Sequence, residues 1–412
     1  MTNARENREF DVIVYGATGF TGTLVAEYLL RQYGVNSELR WSIAGRSASK
    51  LESVRTSLGA SAAGLETIVA DSSDEDALAA LASRTRVVLT TVGPYALYGS
   101  KLVAACVDAG TDYCDLAGEV QWIRRMIDTH QDRARETGAR IVHCCGFDSI
   151  PMDMGVWFLQ DAAKRDHGHY CDDIALYVKA TKGTASGGTI ASMINIVQEV
   201  KQDRSVGKIM ANPYALNPEG EREGPDERDQ QKTVFDKEAE CWTGPFVMAG
   251  VNTRVVRRSN ALAGYPYGRD FRYREVTITG RGFSGWLKGT VMTLALGLLV
   301  LGISMGPTRK LLQKFLLPKP GEGPSRELQQ TGFFNLMQIG KLPDGSVLRT
   351  RITGDQDPGY GSTSKMLSES AVCLAKDQLD TTGGVWTPAS AMGPQLLKRL
   401  RDNAGLTFDL VD

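Results

Sequence analysis

The sequence predicts an α/β protein in which an N-terminal, doubly wound parallel sheet is followed by a second domain of the α+β class. Over the first 150 residues, short apolar runs alternate with longer helical patterns. After Pro151 this alternation gives way to extended runs separated by long irregular stretches. Glycine contributes 44 of the 412 residues. That share exceeds the usual value of about 7%, which favours an α/β enzyme over a helical bundle.

The first domain, residues 1–150, is expected to contain six strands and five helices. The predicted strands are Asp11–Tyr15, Trp41–Ala44, Leu65–Ala70, Val87–Thr91, Thr111–Leu116 and Arg140–Cys145. The predicted helices lie near residues 20–33, 47–58, 74–83, 97–109 and 119–137. Strands that alternate with helices are joined by right-handed crossovers, so the pattern predicts a parallel sheet with helices on both faces.

The second domain, residues 151–412, is expected to bind the substrate. Its predicted elements are a helix near 152–164, extended runs at Asp173–Thr181, Arg272–Thr279 and Val347–Thr353, and helices at Ser362–Lys376 and 389–402. We expect the two C-terminal helices to pack back on the first domain. The charged segment Asn217–Lys237, which is rich in glycine and proline, predicts a mobile surface loop or lid.

The composition restricts the class of protein further. Apolar residues make up 42% and charged residues 23% of the chain, with 47 Lys and Arg against 48 Asp and Glu. This balance argues against a disordered chain and against nucleic acid as a partner. Seven cysteines, an odd number, predict buried thiols in a reducing compartment. The charged N-terminus has no secretory pattern and no metal-ligand spacing occurs, so we expect a cytoplasmic protein without a metal.

The most informative motif is the glycine-rich run Gly16-Ala17-Thr18-Gly19-Phe20-Thr21-Gly22, which follows the first strand and begins a helix. This context predicts a Rossmann-type dinucleotide-binding turn, in which helix N–H groups bind a pyrophosphate. The predicted cofactor-binding residues here are Gly16, Thr18, Gly19, Phe20, Thr21 and Gly22. A purely structural turn is the alternative.

Residues after the second and third strands indicate which dinucleotide binds. Arg46 stands where a site for NADH would usually place an acidic residue, and a guanidinium there can bind a 2′-phosphate, which favours NADPH. Ser47 and Lys50 could assist, and a solvated Arg46 at a helix start is the alternative. Asp71 either contacts the adenine or caps the following helix.

Two further strand ends predict the part of the site nearest the nicotinamide, because ligands bind at the carboxyl ends of parallel strands. The fourth strand ends in Val92, Gly93 and Pro94, which we expect to bind the cofactor. The sixth ends in a turn containing Asp148, which either caps a helix or lines the site. Candidate proton donors are Tyr95, Tyr98 and Asp148. No tyrosine is followed by lysine four residues later, so the catalytic pair of short-chain reductases is absent.

Several segments together resemble a known family. They are Tyr15–Gly22, Ala44–Arg46, Val92–Tyr95, Asp112–Glu119 and Gly146–Pro151, followed by Asn252–Leu262, Pro318–Gly321, Gly323–Ser325 and Thr387–Gly393. The first five resemble saccharopine dehydrogenase-like oxidoreductases. The later ones resemble the mycobacterial trans-acting enoyl reductase branch, and the resemblance covers nearly the whole chain.

The resemblance implies NADPH-dependent reduction of a carbon–carbon double bond in a polyketide-derived lipid of the phthiocerol or phenolphthiocerol dimycocerosate type. The acyl substrate would be held by a separate synthase. Two alternatives stay open at this point. One is a lipid-associated nucleotide-binding scaffold without turnover, and the other is an amino-acid oxidoreductase of the saccharopine dehydrogenase type.

An apolar and basic segment at 286–320 has no place in the nucleotide-binding pattern. Between Lys288 and Arg309 no residue is charged, which predicts a core or homodimer-interface helix, a lipid-facing element or a membrane span. Residues 276–321 contain no Asp or Glu but six basic residues: Arg281, Lys288, Arg309, Lys310, Lys314 and Lys319. This asymmetry favours a peripheral contact with an anionic membrane or with an acidic carrier protein.

Overall fold

The computed structural model describes residues 7–184, 186–315 and 323–412. Contacts divide these residues into two units. The first comprises the described residues up to Ile150, together with Gly323 and Gly359–Gly405. The second comprises the described residues of Pro151–Pro320, Pro324–Pro358 and Leu406–Asp412. The predicted segment 151–412 is therefore not one continuous unit, because Gly359–Gly405 belongs to the first.

The described residues form two sheets and the helices around them. The strands are β1 Phe10–Tyr15, β2 Trp41–Gly45, β3 Glu66–Val69, β4 Thr85–Thr90, β5 Asp112–Cys114, β6 Arg140–Val142, β7 Asp173–Lys182, β8 Val234–Asp236, β9 Cys241–Pro245, β10 Arg272–Gly280, β11 Phe333–Lys341, β12 Val347–Gly354, β13 Gly384–Trp386 and β14 Leu406–Val411. The α-helices are α1 Phe20–Tyr33, α2 Ala48–Ser57, α3 Glu75–Ser83, α4 Tyr95–Tyr98, α5 Ser100–Asp108, α6 Val120–Thr137, α7 Ile150–His167, α8 Gly187–Gln202, α9 Arg204–Ala211, α10 Ala249–Leu262, α11 Gly282–Ser304, α12 Gly306–Phe315, α13 Arg326–Thr331, α14 Gly361–Lys376 and α15 Pro388–Asp402.

The first unit contains a seven-stranded parallel sheet in the order β13-β6-β5-β4-β1-β2-β3. The order reverses between β1 and β4, the position at which doubly wound sheets bind their ligands. All six residues of β1 are buried, as the apolar run that predicts this strand requires. The predicted fold class, a Rossmann-type doubly wound parallel sheet with a second α+β domain, is confirmed.

The predicted helix at 97–109 is divided into α4 and α5 at Gly99. A β-carbon at Gly99 would lie 2.8 Å from the Trp122 ring and 2.9 Å from the Tyr95 carbonyl oxygen. The glycine therefore lets the ring pack against the backbone of this junction. The pattern did not show the break, because the apolar spacing continues through both helices.

Helix α14 covers the first sheet and carries a buried carboxylate that binds two neighbouring helices. Glu369 accepts hydrogen bonds from the hydroxyl groups of Tyr28 at 2.6 Å and Tyr33 at 2.7 Å, both on α1. Arg399 of α15 lies 3.3 Å from the same carboxylate. Three helices of the first unit thus share a single buried acceptor.

The second unit contains a mixed sheet in the order β14-β12-β11-β7-β10-β9-β8, in which β7 and β10 are parallel and the other pairs antiparallel. The predicted runs correspond to β7, β10 and β12. Strands β8, β9, β11 and β14 were missed.

The segment Asn217–Lys237, predicted as a mobile loop or lid, is anchored by buried arginines of α10. Arg257 pairs with Asp226 at 2.5 Å, and Arg254 pairs with Asp229. Both guanidinium groups are less than 5% exposed. Ion pairs buried in this way fix the segment, so the lid interpretation is wrong for this part of the chain. The charges that suggested solvation are the partners of the arginines.

We expect Glu369→Ala to lower the free energy of unfolding by about 3–5 kcal/mol, because Arg399 and two tyrosine hydroxyl groups lose a buried partner. Denaturant titration of the purified protein measures the change. Glu136→Ala, which removes an exposed carboxylate that pairs with Arg133, should change stability by less than about 0.5 kcal/mol. Equal effects of the two substitutions would contradict the role given to Glu369.

Candidate functional site

The turn between β1 and α1 is held by two glycines that have no room for a side chain. Gly16 has a φ of +91°, and a β-carbon there would lie 2.5 Å from the Val92 side chain. A β-carbon at Gly22 would collide with the carbonyl oxygen of Gly16. The turn is therefore packed tightly against both its own helix and the end of β4, and these two glycines are required by the fold itself.

Gly19 differs from these two glycines because open space lies above it. A β-carbon at Gly19 would meet only the Gly16 carbonyl oxygen, at 3.4 Å, and its φ of −83° suits any residue. Phe20 and Thr21 follow as the first residues of α1, where backbone N–H groups have no acceptor within the helix. An open glycine beside free helix N–H groups fits the pyrophosphate of a dinucleotide.

The other side chains of the motif have structural neighbours. The methyl carbon of Thr18 would lie 3.7 Å from a β-carbon at Gly45, at the end of β2. The Phe20 ring packs edge-on against Tyr360, with ring centroids 4.8 Å apart. The part that Phe20 offers to a ligand is therefore its backbone N–H group.

Arg46 lies exposed immediately after β2 and makes no hydrogen bond or ion pair with the described residues. Its charge is one of the influences that hold the pKa of Asp71 below the usual value, after the hydrogen bonds from Ser73. Ser47 is the N-cap of α2 and accepts a hydrogen bond from the Lys50 N–H group at 3.4 Å. A guanidinium group at this position that pairs with no described residue is able to bind a 2′-phosphate.

Asp71 does not cap the helix that follows it. Its carboxylate accepts hydrogen bonds from the backbone and hydroxyl group of Ser73, at 2.9 and 2.6 Å, and the N-cap of α3 is Asp74. The capping alternative is therefore wrong. The carboxylate instead stabilises the turn that follows β3. This turn lies on the same edge of the sheet as Arg46.

The loop after β4, with Val92, Gly93 and Pro94, is fixed by a carboxylate that the sequence analysis did not assign to the site. Glu119 is fully buried, and its two oxygens accept hydrogen bonds from the N–H groups of Tyr95 at 2.7 Å and Ala96 at 3.1 Å. Glu119 is the last residue of the segment Asp112–Glu119. Glu119 immediately precedes α6 in the sequence, and nothing in the sequence indicates that its carboxylate caps α4 instead.

The two tyrosine candidates occupy different environments. Tyr95 is 5% exposed, and its hydroxyl group donates to the Thr90 carbonyl oxygen and accepts from the Leu116 N–H group. Burial, reinforced by the nearby Asp115 charge, raises the pKa of Tyr95 well above its usual value. Tyr98 is 45% exposed. The Tyr95 hydroxyl group is committed to the core, whereas that of Tyr98 lies at the surface.

Asp148 is half-buried in the turn between β6 and α7. Burial raises the pKa of this carboxyl group to about 6, and it forms no hydrogen bond or ion pair with the described residues. The backbone around it is fixed, because the Phe147 N–H group donates to the Thr363 hydroxyl oxygen at 3.0 Å. With its pKa raised in this way, the carboxyl group keeps its proton up to about pH 6 and can act there as a general acid.

Asp115, at the end of β5, organises the start of the same turn. Its carboxylate accepts hydrogen bonds from the N–H groups of Ala117 and Cys144, at 3.0 and 3.1 Å. It also accepts from the Tyr113 hydroxyl group at 2.9 Å and lies 2.7 Å from Nδ1 of His143. These contacts join the ends of β5 and β6 and so position the backbone that leads to Asp148.

Within the described parts of the chain, no group of three or more His, Cys, Asp or Glu side chains is arranged to hold a metal ion. All seven cysteines are buried free thiols.

Comparison with known proteins places this site in a family. The family described as saccharopine dehydrogenase NADP binding domain matches residues 12–142. A trans-acting enoyl reductase of Mycobacterium tuberculosis is 40% identical over 408 residues, which cover 95% of this chain and 96% of that protein. A trans-acting enoyl reductase of Mycobacterium leprae is 39% identical, with 96% of each chain covered. The resemblance seen in the sequence is confirmed.

One solved structure supports the fold. Saccharopine dehydrogenase (L-Glu forming) from Saccharomyces cerevisiae matches with a TM-score of 0.53 at 13% identity, covering 97% of this chain and 99% of that one. At this identity the match supports the fold alone.

We expect Gly19→Val to abolish dinucleotide binding with little change in stability, because its side chain would occupy the open space above the turn. Fluorescence titration with NADPH and thermal unfolding measure the two quantities. Gly22→Ala is the matched comparison. Its added carbon would collide with the Gly16 carbonyl oxygen, so this variant should lose thermal stability in addition to dinucleotide binding. Normal NADPH binding by Gly19→Val would rule out this turn as the pyrophosphate site.

Proposed function

The chain belongs to the family of the trans-acting enoyl reductases, and from this premise we propose that it is an NADPH-dependent oxidoreductase that reduces a carbon–carbon double bond of an acyl substrate. The observation that supports this best is the open glycine turn at the carboxyl edge of the parallel sheet. Asp148, a carboxyl group with a raised pKa, follows β6 at the same edge.

The choice of NADPH rests on the surroundings of Arg46. Its guanidinium is exposed and has no ion-pair partner among the described residues, so a 2′-phosphate would meet an uncommitted charge. Ser47 and Lys50 lie within the next four residues, at the start of α2, and could add a hydroxyl group and a second positive charge. A site built for NADH would place an acidic residue at this position.

A bound NADPH supplies a hydride, which the proposed reaction delivers to the β-carbon of the enoyl group. The α-carbon then needs a proton, and we assign its donation to the Asp148 carboxyl group. Burial of Asp148 favours the neutral acid, which is the form that can donate. Glu119 and Asp115 act indirectly, because they fix the backbone of the loops after β4 and β5.

Tyr95 and Tyr98 are the other candidate donors. The hydroxyl group of Tyr95 would have to leave two hydrogen bonds in the core before it could donate to a substrate. Tyr98 is accessible but lies at the surface, where no described group would orient it. Both observations favour Asp148.

The proposed substrate is a polyketide-derived acyl group held by a carrier, of the phthiocerol type that the sequence resemblance implies. The proposed location is the cytoplasm, with a peripheral contact on an anionic membrane. A homodimer stays part of this proposal. An amino-acid substrate is less well supported, since the yeast saccharopine dehydrogenase shares the fold at only 13% identity.

We expect Arg46→Ala to weaken NADPH binding by roughly 1.5–3 kcal/mol while NADH binding stays the same, because only NADPH has a 2′-phosphate. Parallel titrations with the two cofactors test this. Arg55→Ala removes an arginine of α2 that pairs with Glu52, and it should affect neither cofactor. Equal losses for NADPH and NADH in Arg46→Ala would overturn the assignment.

The proposed reaction is tested by NADPH oxidation with a long-chain 2-enoyl thioester. We expect turnover to fall as the pH rises above about 6, where Asp148 loses its proton. Asp148→Asn should lower kcat by roughly 10²–10⁴-fold, abolish this pH dependence and leave NADPH affinity unchanged. Asp161→Asn, at an exposed carboxylate of α7, serves as the control. A comparable loss in Tyr98→Phe, with Asp148→Asn active, would transfer the role to Tyr98.

A further inference from the structure

We propose that α11 and α12 form a docking pair that lies flat in the surface of an anionic lipid bilayer, without crossing it. The docking pair comprises Gly282–Ser304 and Gly306–Phe315. This inference goes beyond the proposed reduction and does not depend on it, because binding to lipid can be measured without cofactor or substrate.

The outer side of the docking pair is apolar and exposed. Of the 23 residues of α11, only Gly285, Gly289 and Ile303 are buried. The exposed apolar side chains are Phe283, Trp286, Leu287, Val291, Leu294, Leu298, Val300, Leu301, Met305, Leu311 and Phe315. Phe283, Leu298 and Phe315 are 74%, 68% and 70% exposed. So many exposed apolar side chains on two consecutive helices are unusual for a soluble monomer and mark a surface that meets an apolar partner.

The inner side of α11 is fixed to the second unit along its length. Near the N-terminus, Gly289 packs so closely that a β-carbon would lie 2.7 Å from Thr233, and the Thr279 hydroxyl group donates to the Gly285 carbonyl oxygen at 2.9 Å. Near the C-terminus, Ile303 is 1% exposed in a cluster with Ile190 and Ile194 of α8. A helix that crosses a bilayer would have to give up these contacts.

The length of α11 alone would permit a span, since 23 residues rise about 34 Å against a hydrocarbon core of about 30 Å. The contacts of α11 with Thr279 of β10 and with α8 decide against it. One side of α11 packs on protein and the other side is exposed. An interfacial helix likewise places only one side in the lipid, and in α11 the rest of the second unit covers the opposite side.

The charges around the patch match an anionic surface. Residues 276–321 contain no acidic side chain. Lys288, Lys310 and Lys314 are exposed, and like Arg309 they form no ion pair with the described residues. Arg281 lies 3.6 Å from Glu240, and both side chains are more than 75% exposed. Lys319 lies outside the described residues.

These charges also discriminate among possible occupants of the patch. A symmetric dimer through this face would bring two basic rims together with no acidic side chain from either docking pair to balance them. An acidic carrier protein would satisfy the basic residues but would not require eleven exposed apolar side chains. A bilayer with anionic headgroups satisfies both the apolar face and its basic rim.

The test is co-sedimentation of the full chain, without cofactor, with phosphatidylcholine vesicles that contain or lack phosphatidylglycerol. We expect binding only to the anionic vesicles, weakening as salt is added because charges are screened over about 8 Å at physiological ionic strength. Arg309→Gln combined with Lys310→Gln and Lys314→Gln should reduce partitioning on the order of a hundredfold. Leu294→Glu with Leu298→Glu should abolish it.

Matched controls separate the docking pair from general surface effects. Leu410→Glu changes an exposed leucine of β14, and Arg135→Gln with Arg165→Gln and Lys398→Gln removes three charges from other exposed helices. All controls should bind vesicles like the wild type. Thermal unfolding confirms that each variant is folded, which the exposure of Leu294 and Leu298 should allow.

Four results would overturn the proposal. They are equal binding to neutral vesicles, unchanged binding by the apolar or basic variants, resistance of bound protein to extraction by high salt and alkali, and a wild-type dimer in solution that Leu294→Glu with Leu298→Glu dissociates. The third would indicate a span and the fourth an interface between copies. None of them bears on enoyl reduction, which the thioester assay tests separately.

Discussion

Close packing around the two glycines of the turn after β1 is the constraint on which the candidate site depends. Gly16 and Gly22 have no space for a β-carbon, so the turn lies against the end of β4 and the first turn of α1. The Thr91 hydroxyl group also donates to the Gly16 carbonyl oxygen at 3.2 Å. With the turn fixed in this way, Gly19 is left open above it, and the start of α1 becomes available to an anion.

Buried carboxylates then set the loops around this turn, and they explain why the sequence predicted part of the site but not all of it. The glycine spacing was readable because only glycine fits such positions. Glu119 was not, since a carboxylate that caps α4 from 23 and 24 residues away along the chain leaves no periodic signal. Asp71 was readable as a strand-end residue, but its partner Ser73 and the competing cap Asp74 became apparent only from the geometry.

The same distinction applies to the fold. Patterns of period two and 3.6 located the elements of the first sheet because a doubly wound sheet buries its strands as apolar runs. In the second unit, α10 buries three arginines, and the acidic residues that pair with two of them resembled a solvated loop. Helix α14 is buried almost throughout despite containing Lys365 and Glu369. Buried charge is invisible to a hydrophobic pattern because its partners are distant in sequence.

Helix α11 shows the opposite limit, where a sequence is apolar on every side. Such a helix has no periodic apolar face. Its sequence is therefore equally compatible with the protein core, a dimer interface, a lipid surface and a membrane span. The structure narrows these possibilities, because one side of the helix packs on β10 and α8 and the other side is exposed. Fully burying one leucine side chain stabilises a protein by about 1.5–3 kcal/mol. Covering the exposed leucines and phenylalanines of α11 and α12 would therefore release a large free energy. The basic residues beside them determine which kind of surface can cover them.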